Sequence, residues 1–238
     1  MNIIITGASK GMGKAIAEKF AANQHNVILC ARNEVQLYKT MEELLTKHPS
    51  VTIKAQPADL GDIVQTKDFA NWALAQVSKM PGGKADVLVN NAGQFIPGNI
   101  HNEEEGVLEK MMDVNLYSAY RLTRMLLPHM MEKKKGYIFN MCSIASLNAY
   151  KNGSAYSISK FALLGFSKNL REEMKDYGIK VTAVVPGAVF TDSWSESGVS
   201  PQRLMASEDI ADLIYAASQL SSRTVPEEII IRPQLGDL

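Results

Sequence analysis

The sequence is poor in the residue types that build metal sites and disulfide frameworks. It holds two cysteines, Cys30 and Cys142, both in apolar strand-like runs, and four histidines without the spacing of metal ligands. We therefore expect both cysteines to be small buried side chains in a reducing compartment. We expect no disulfide and no zinc site.

The sequence also lacks a long apolar run and an excess of charge of one sign. No segment has the length of a membrane span, and Lys plus Arg equals Asp plus Glu at 25 each. This balance argues against binding to nucleic acid or to an anionic membrane surface. Strand-like residues begin at position 2, where a secretion signal would otherwise stand, so we expect a cytoplasmic protein.

Short apolar runs and longer amphipathic stretches alternate along the whole chain. The runs are rich in Ile and Val, as in strands covered on both faces. This alternation predicts one α/β domain over residues 1–238, a Rossmann fold whose doubly wound, parallel seven-stranded sheet has helices on both faces. The predicted strands are 2–6, 26–31, 51–55, 86–90, 136–143, 179–185 and 228–232, and the predicted helices are 11–22, 34–47, 63–79, 106–134, 153–177 and 207–220.

A glycine-rich turn follows the first predicted strand and opens the first helix. Glycines permit a tight turn and a close approach of the backbone to a phosphate, and a helix N-terminus favours a pyrophosphate. Many such turns are only turns, but this one has the strand–turn–helix context that dinucleotide binding requires. The predicted cofactor residues here are Gly7, Ser9, Lys10, Gly11, Met12 and Gly13.

The end of the second strand bears on the choice between NAD and NADP. An acidic residue there binds the ribose 2′-OH of NAD, whereas Arg accommodates the 2′-phosphate of NADP. Ala31 occupies the position expected to be acidic and Arg32 follows, with Lys10 in reach of the same phosphate. Two cations favour a dianion, so we predict NADP(H). The alternatives are that both are ordinary surface cations and that Glu34 serves a ribose.

Two further loops lie at the carboxyl ends of strands, where ligands bind in doubly wound sheets. Asp59 would accept from the adenine amino group or cap the next helix. Asn90-Asn91-Ala92-Gly93 would let the backbone pack close to the adenosine or form a plain turn. The predicted cofactor residues from these loops and the second strand are Arg32, Asn33, Asp59, Leu60, Asn90, Ala92 and Gly93.

Tyr156 and Lys160 are four residues apart and share one face of the predicted helix 153–177. A nearby ammonium favours the phenolate and lowers a tyrosine pKa from about 10, which makes Tyr156 a candidate general acid. The pair alone is weak evidence, because a surface lysine beside a half-buried tyrosine has the same spacing.

Taken in order, the motifs resemble those of classical short-chain dehydrogenases/reductases over essentially the whole chain. They are the glycine loop, Asp59, Asn90-Asn91-Ala92-Gly93, Asn115, Ser143, Tyr156-x-x-x-Lys160 and Pro186-Gly187. The resemblance implies an oxidoreductase that reduces a small-molecule carbonyl with NADPH. It also implies a catalytic tetrad of Asn115, Ser143, Tyr156 and Lys160.

By this resemblance, Tyr156 donates its proton to the carbonyl oxygen as hydride arrives, and Ser143 hydrogen-bonds that oxygen. Lys160 lowers the Tyr156 pKa and holds the nicotinamide ribose. Asn115 anchors a water that links Lys160 to solvent, and an asparagine inside a helix also predicts a local irregularity. Further implied cofactor contacts come from Tyr156, Lys160, Pro186, Gly187, Val189 and Thr191.

The substrate side is less determined by the sequence. Residues 192–206 are the predicted flap, and Trp194 would either wall a ring substrate or pin the flap. We name Ser143, Tyr156 and Trp194 as substrate contacts. Four more residues are candidates for which core packing is the favoured interpretation: Phe95, Ile144, Leu147 and Tyr150.

The stretch 186–194 and the tail 223–233 resemble bacterial sepiapterin reductases, which suggests a pterin side-chain ketone as substrate. Similar tails occur in other small carbonyl reductases and in 3-oxoacyl-carrier-protein reductases. A non-catalytic dinucleotide sensor is an alternative of another class, although a sensor has no need of Tyr156 with Lys160. An isomerase or dehydratase on the same fold is a further alternative, but it usually has a longer carboxy-terminal substrate region than the tail of this chain. A hydrolase is poorly supported, because Ser143 lacks a Gly-x-Ser-x-Gly elbow.

Helices 106–134 and 153–177 carry more large apolar side chains than one core-facing stripe needs. The family resemblance suggests that they pair with a twin subunit in a homodimer or homotetramer, and deep core is the alternative. The surplus residues are Met111, Met112, Tyr117, Tyr120, Met125, Met130 and Phe161.

Overall fold

The computed structural model describes residues 1–191 and 198–237. Within them lie the strands β1 (Asn2–Thr6), β2 (Asn26–Ala31), β3 (Ile53–Pro57), β4 (Val87–Asn90), β5 (Gly136–Met141), β6 (Ile179–Pro186) and β7 (Glu228–Ile231). They form one sheet in the order β3-β2-β1-β4-β5-β6-β7 with all neighbours parallel. The predicted doubly wound sheet is confirmed.

Seven α-helices connect these strands within the described residues. They are α1 (Gly11–Ala22), α2 (Glu34–Lys47), α3 (Ile63–Val77), α4 (Val107–Met112), α5 (Ser118–Glu132), α6 (Ser154–Met174) and α7 (Ser207–Ser218). None of the helices in the described part of the chain is long and apolar enough to cross a membrane.

The central strands are buried on both faces because alternate side chains enter different layers. Ile3 and Ile5 of β1 pack into one core with residues of α1, α2 and α7, while Ile4 packs into a second core with residues of α3, α5 and α6. Both cysteines are buried and free, as expected.

One predicted helix is divided. The stretch expected to be helical over 106–134 consists of α4, a π-helical turn at Asp113–Tyr117, and α5. The turn places Asn115 at its centre with 1% exposure, in agreement with the predicted irregularity. Pro128 lies inside α5 and does not end it. The third strand begins at Ile53, two residues later than predicted.

Five of the seven surplus apolar residues fall into two groups, and the other two, Met112 and Met125, are half-buried. Met111 and Met130 are fully buried, so for them the deep-core interpretation holds. Tyr117, Tyr120 and Phe161 are each about two-fifths or more exposed, at 41%, 40% and 46%. The exposed aromatic face of α5 and α6 therefore consists of fewer residues than the sequence suggested.

Candidate active site

The glycine loop between β1 and α1 is fitted tightly against the loop that follows β4. Gly7 has a positive φ of 63°. A Cβ at Gly13 would lie 2.3 Å from the Gly7 carbonyl oxygen and 2.6 Å from the Asn91 Nδ2. No side chain larger than hydrogen fits at Gly13 without movement of backbone. The loop thus needs its glycines for packing as well as for turning.

Thr6 and Asn91 hold the two loops together. The Asn91 Nδ2 donates to the carbonyl oxygens of Thr6 and Gly7 at 2.9 and 3.0 Å. In return, the Thr6 Oγ1 accepts the backbone N–H groups of Asn91 and Ala92, both at 2.9 Å. These four bonds preform the bend at the carboxyl ends of β1 and β4.

A long cleft of about 980 Å³ runs along this edge of the sheet. It combines the glycine loop with the ends of β2, β3 and β4, as the sequence predicted. Its lining includes the predicted residues Gly7, Ser9, Lys10, Gly11, Met12, Arg32, Asn33, Asp59, Leu60, Ala92, Gly93 and Thr191. Six lining residues are absent from the predicted cofactor set: Ala31, Gln36, Ala58, Asn91, Gln94 and Val114.

Arg32 lies at the β2 end of this cleft and is 66% exposed. Its guanidinium is 3.8 Å from the Asp59 carboxylate, a loose surface pair. The Asp59 Oδ1 accepts the Gly61 N–H. Asp62, and not Asp59, caps α3, so the capping alternative for Asp59 is wrong. The Asn33 side chain caps α2 by accepting from the Gln36 N–H.

Asn90 departs from the predicted cofactor residues around it. Its side chain is 4% exposed and its Nδ2 donates to the Thr123 Oγ1 and the Asn140 Oδ1 at 3.0 and 2.8 Å. The Asn140 Nδ2 in turn donates to the Ser167 Oγ. The Asn90 side chain therefore belongs to a buried polar network, and Asn91 lines the cleft instead. Because both residues are asparagine, the sequence alone did not distinguish their two environments.

A smaller pocket of about 270 Å³ adjoins the cleft. It brings together Ser143 from the end of β5 with Tyr156 and Lys160 from α6. The other predicted residues in its lining are Met12, Gly93, Phe95, Pro186, Gly187, Val189 and Thr191. The pocket and the cleft share Met12, Asn91, Gly93, Gln94 and Thr191, so the two spaces are continuous.

Ser143 is held rigidly by a short 3-10 turn, Ile144–Ser146. The Ser143 Oγ accepts the Ala145 N–H at 3.2 Å, and the Ser143 N–H donates to the Ser146 Oγ at 3.1 Å. A capping box of this kind satisfies two backbone donors reciprocally. It leaves the Ser143 hydroxyl at the pocket wall beside Tyr156.

The pKa of Tyr156 is raised above its ordinary value. Burial is the main cause, hydrogen bonding to Ser143 acts against it, and the charge of Cys142 raises the pKa further. The pKa of Tyr156 is therefore shifted in the direction opposite to the one expected from Lys160. A phenol with a raised pKa is protonated at neutral pH, as a proton donor must be.

Lys160 lies beneath Tyr156 and is 5% exposed. Its Nζ donates to the Met141 carbonyl oxygen at 2.7 Å and lies 5.7 Å from the centre of the Tyr156 ring. Burial lowers the pKa of Lys160 to about 8. At neutral pH most Lys160 side chains are therefore protonated, although the pKa is not far above this pH.

The Asn115 amide clamps the chain after β4. Its Oδ1 accepts the Gln94 N–H at 2.7 Å, and its Nδ2 donates to the Gln94 carbonyl oxygen at 2.9 Å. A Cβ at Gly93 would lie 3.4 Å from the Asn115 Oδ1 and 3.5 Å from the Lys160 Nζ. Asn115 and Lys160 thus flank the same glycine, which joins the fourth tetrad member to the other three.

Two aromatic side chains stand near Tyr156 with exposed surface. Phe95 is 44% exposed, and its ring meets the Tyr156 ring edge-on with centroids 5.1 Å apart. Tyr150 is 46% exposed, and burial together with Tyr156 raises its pKa to about 12. Core packing, the interpretation favoured from the sequence, is wrong for these two residues. Trp194 lies outside the described residues.

The segment after β6 closes the pocket. Val189 is 4% exposed, and its neighbours bond with Met205 through the backbone. Gly187 packs against the carboxy-terminal tail, where a Cβ would lie 3.1 Å from the Pro233 Cδ. The Thr191 Cγ2 would lie 3.1 Å from a Cβ at Gly11. This segment therefore connects the pocket with the glycine loop.

These features match one protein family. The short chain dehydrogenase family model matches residues 1–200. The chain belongs to the short-chain dehydrogenase/reductase family. It is an NAD(P)-dependent oxidoreductase.

Individual relatives of this short-chain dehydrogenase/reductase agree in length and fold. A sepiapterin reductase from Chlorobaculum tepidum is 33% identical, with 99% of this chain and 97% of the relative covered. A metagenomic short-chain oxidoreductase solved in complex with NADP is 29% identical, with a TM-score of 0.84 and 98% and 97% of the two chains covered. An alcohol dehydrogenase from the archaeon Thermococcus sibiricus, complexed with 5-hydroxy-NADP, is 25% identical, with a TM-score of 0.89 and coverages of 98% and 96%.

Proposed function

We propose that this short-chain dehydrogenase/reductase reduces the ketone of a small molecule to an alcohol with NADPH. The observation that supports this most directly is the convergence of Ser143, Tyr156 and Lys160 in one pocket that opens into the dinucleotide cleft. Gly7 and Gly11, which line the cleft with positive φ angles, suit close approach of a pyrophosphate to the backbone. The bound nicotinamide would supply the hydride.

In this proposal Tyr156 is the general acid that protonates the carbonyl oxygen. The Ser143 hydroxyl hydrogen-bonds the same oxygen and stabilises the charge that develops on it. Lys160 binds the hydroxyls of the nicotinamide ribose. The side chain of Asn115 is occupied by Gln94, so its proposed role is to shape the space beside Gly93 for a water that links Lys160 to solvent.

The preference for NADPH over NADH rests on Arg32. Its guanidinium is exposed at the cleft and, among residues 1–191 and 198–237, forms one ion pair, at 3.8 Å with Asp59. A 2′-phosphate offers Arg32 a stronger, charge-assisted partner than this carboxylate. Relatives solved with NADP support the same choice. Val189, Thr191, Pro186 and Gly187 would contact the nicotinamide end.

For the substrate we propose a pterin side-chain ketone or another small ketone, with a 3-oxoacyl thioester as alternative. The relation to a sepiapterin reductase at 33% identity supports the pterin. Phe95 and Tyr150 supply exposed aromatic surface beside Tyr156 that suits a planar ring. We also propose that a second copy of the chain covers Tyr117, Tyr120 and Phe161, giving a homodimer or homotetramer.

The deciding test removes one oxygen atom, the phenol oxygen of Tyr156. We expect Tyr156→Phe to lose carbonyl reduction while NADPH binding, followed by fluorescence titration, is nearly unchanged. Tyr177→Phe is the matched control, since Tyr177 is exposed on a turn after α6, and it should keep full activity. The assay follows NADPH absorbance with pterin diketones, simple ketones and 3-oxoacyl thioesters. Full activity of Tyr156→Phe would refute the assigned acid. NADPH binding without reduction of any ketone by the wild type would favour the dinucleotide sensor.

The cofactor preference has its own test. Arg32→Ala should raise the KM for NADPH by about tenfold, the equivalent of about 1.4 kcal/mol, and leave the KM for NADH almost unchanged. Arg223→Ala, at an exposed position away from the cleft, is the control. Equal effects of Arg32→Ala on both cofactors would point to NAD.

A further inference from the structure

Ser159 lies between Tyr156 and Lys160 on α6 and is completely buried. Its Oγ donates to the Tyr156 carbonyl oxygen at 2.7 Å. The same oxygen accepts a hydrogen bond from the Asn115 Nδ2 at 2.9 Å. Ser159 is therefore bonded to two members of the tetrad without belonging to it.

The direction of each bond follows from the number of protons available. A serine hydroxyl has one proton and two lone pairs, and the Ser159 proton is committed to the Tyr156 carbonyl. Its oxygen is then free to accept from Asn115. The Asn115 amide has two N–H groups, which bond to the Gln94 carbonyl and to Ser159, and the Met111 Sδ at 3.9 Å is a weaker third acceptor. Removal of the Ser159 hydroxyl would leave a buried N–H without this acceptor.

Asn115 orients the backbone of Gln94, and Gln94 and Phe95 form part of the pocket wall. Asn115 holds both backbone groups of Gln94, and the next residue, Phe95, contacts the Tyr156 ring. One chain of contacts therefore runs from the first turn of α6 through Ser159 and the π-helical turn to the loop after β4. This chain returns to Tyr156 through the Phe95 ring.

We propose that Ser159 is a positioning residue for proton transfer, which it serves by locking the Asn115 amide to the backbone of Tyr156. This inference rests on the proposed reductase function. A serine that only bonds to the carbonyl one turn earlier is common in helices. Ser159 differs because Asn115, in the π-helical turn, also donates a hydrogen bond to its oxygen.

Ser157 provides a matched control on the same helix. It is 5% exposed, and its hydroxyl has no hydrogen-bond partner among the described residues. Ser159→Ala and Ser157→Ala remove the same atom from neighbouring buried positions. We expect Ser159→Ala to lower kcat about tenfold with little change in the KM for NADPH, and Ser157→Ala to leave both constants unchanged.

Two further variants separate positioning from general loss of structure. Ser159→Thr keeps the hydroxyl and should recover most of the lost rate. In an Asn115→Ala background, Ser159→Ala should have little additional effect, because the partner it serves is gone. NADPH titration and circular dichroism would establish that each variant is folded.

The outcomes distinguish this inference from the proposed function. Equal kcat values for Ser159→Ala and Ser157→Ala in an active reductase would overturn the role of Ser159 alone. Full additivity with Asn115→Ala would overturn it too. A wild-type protein that binds NADPH but reduces no carbonyl compound would overturn the reductase function, and the inference with it.

Discussion

Gly13→Ala adds one methyl group at the tightest point of the cofactor loop. The new Cβ would stand 2.3 Å from the Gly7 carbonyl oxygen and 2.6 Å from the Asn91 Nδ2. Both distances are far below a van der Waals contact, and the first partner is backbone, which cannot rotate away. The turn between Gly7 and α1 must therefore open, and the Asn91 side chain of the β4 loop must move away.

The expected loss of stability follows from the contacts that bind these loops. Movement of the Asn91 side chain weakens the two bonds from its Nδ2 to Thr6 and Gly7, at about 1 kcal/mol each. Residual overpacking adds about 1–3 kcal/mol, and the better helix propensity of alanine in α1 returns about 1 kcal/mol. The free energy of unfolding should fall by about 2–4 kcal/mol.

Two measurements test this reasoning. Thermal unfolding should show a Tm lower by roughly 4–16 °C for a chain of this length. Fluorescence titration should show NADPH binding weakened by about tenfold, or about 1.4 kcal/mol, since the displaced Gly7 carbonyl borders the cleft. A Gly13→Ala protein with wild-type Tm and wild-type NADPH affinity would refute the proposed fit of the two loops.

Gly165→Ala is the control with the opposite sign. Gly165 lies within α6, and a Cβ there meets no atom within 4 Å among the described residues. Alanine should therefore stabilise the chain by about 1 kcal/mol through helix propensity. Unfolding followed at two protein concentrations would show any contribution from association between copies, because α6 is part of the proposed interface.

Three other predictions concern buried polar groups. Because the pKa of Lys160 is about 8 when folded and about 10.5 when unfolded, the unfolded chain binds more protons between these values. The free energy of unfolding of the wild type should therefore rise with pH above 8 relative to that of Lys160→Met, by up to about 1.4 kcal/mol per pH unit. If urea unfolding shows a difference between the two proteins that does not change with pH, the lowered pKa of Lys160 is contradicted. Thr6→Val should cost about 2–4 kcal/mol, because two backbone N–H groups lose their acceptor, whereas a loss below about 0.5 kcal/mol in denaturant unfolding would contradict that. Asn140→Ala should lower the Tm by breaking the bonds to Asn90 and Ser167, and an unchanged Tm would show that this network contributes no net stability.

The sheet was predictable because its strands are short, apolar on both faces and separated by amphipathic helices. Strand β1, of five residues, and strand β2, of six, begin and end where the amino-acid composition of the sequence changes. The break inside helix 106–134 was only partly predictable. Asn115 signals an irregularity, but the structure at this π-helical turn includes bonds from its amide to Gln94, a tertiary contact that no local pattern reveals.

The meeting of Ser143, Tyr156 and Lys160 in one pocket was predictable, since each stands in a recognisable sequence motif. Other features depend on side-chain direction. Asn90 and Asn91 are chemically identical neighbours, and strand alternation turns the first into the core and the second to the cleft. The direction of the Tyr156 pKa shift could not be foreseen from spacing either, because it is set mainly by burial, and Lys160 donates to the Met141 carbonyl.

The π-helical turn at Asp113–Tyr117 also sets the angular phase between two helix segments. An α-helix turns by about 100° per residue, so the extra residue of the π turn rotates α4 by that amount relative to α5. This offset lets α4 face α6 while α5 faces α3. Deleting a single residue of the turn would restore a regular helix, but it would rotate Met111 from the core toward solvent. The position of Asn115 and the packing of four helices therefore depend on the same one-residue insertion.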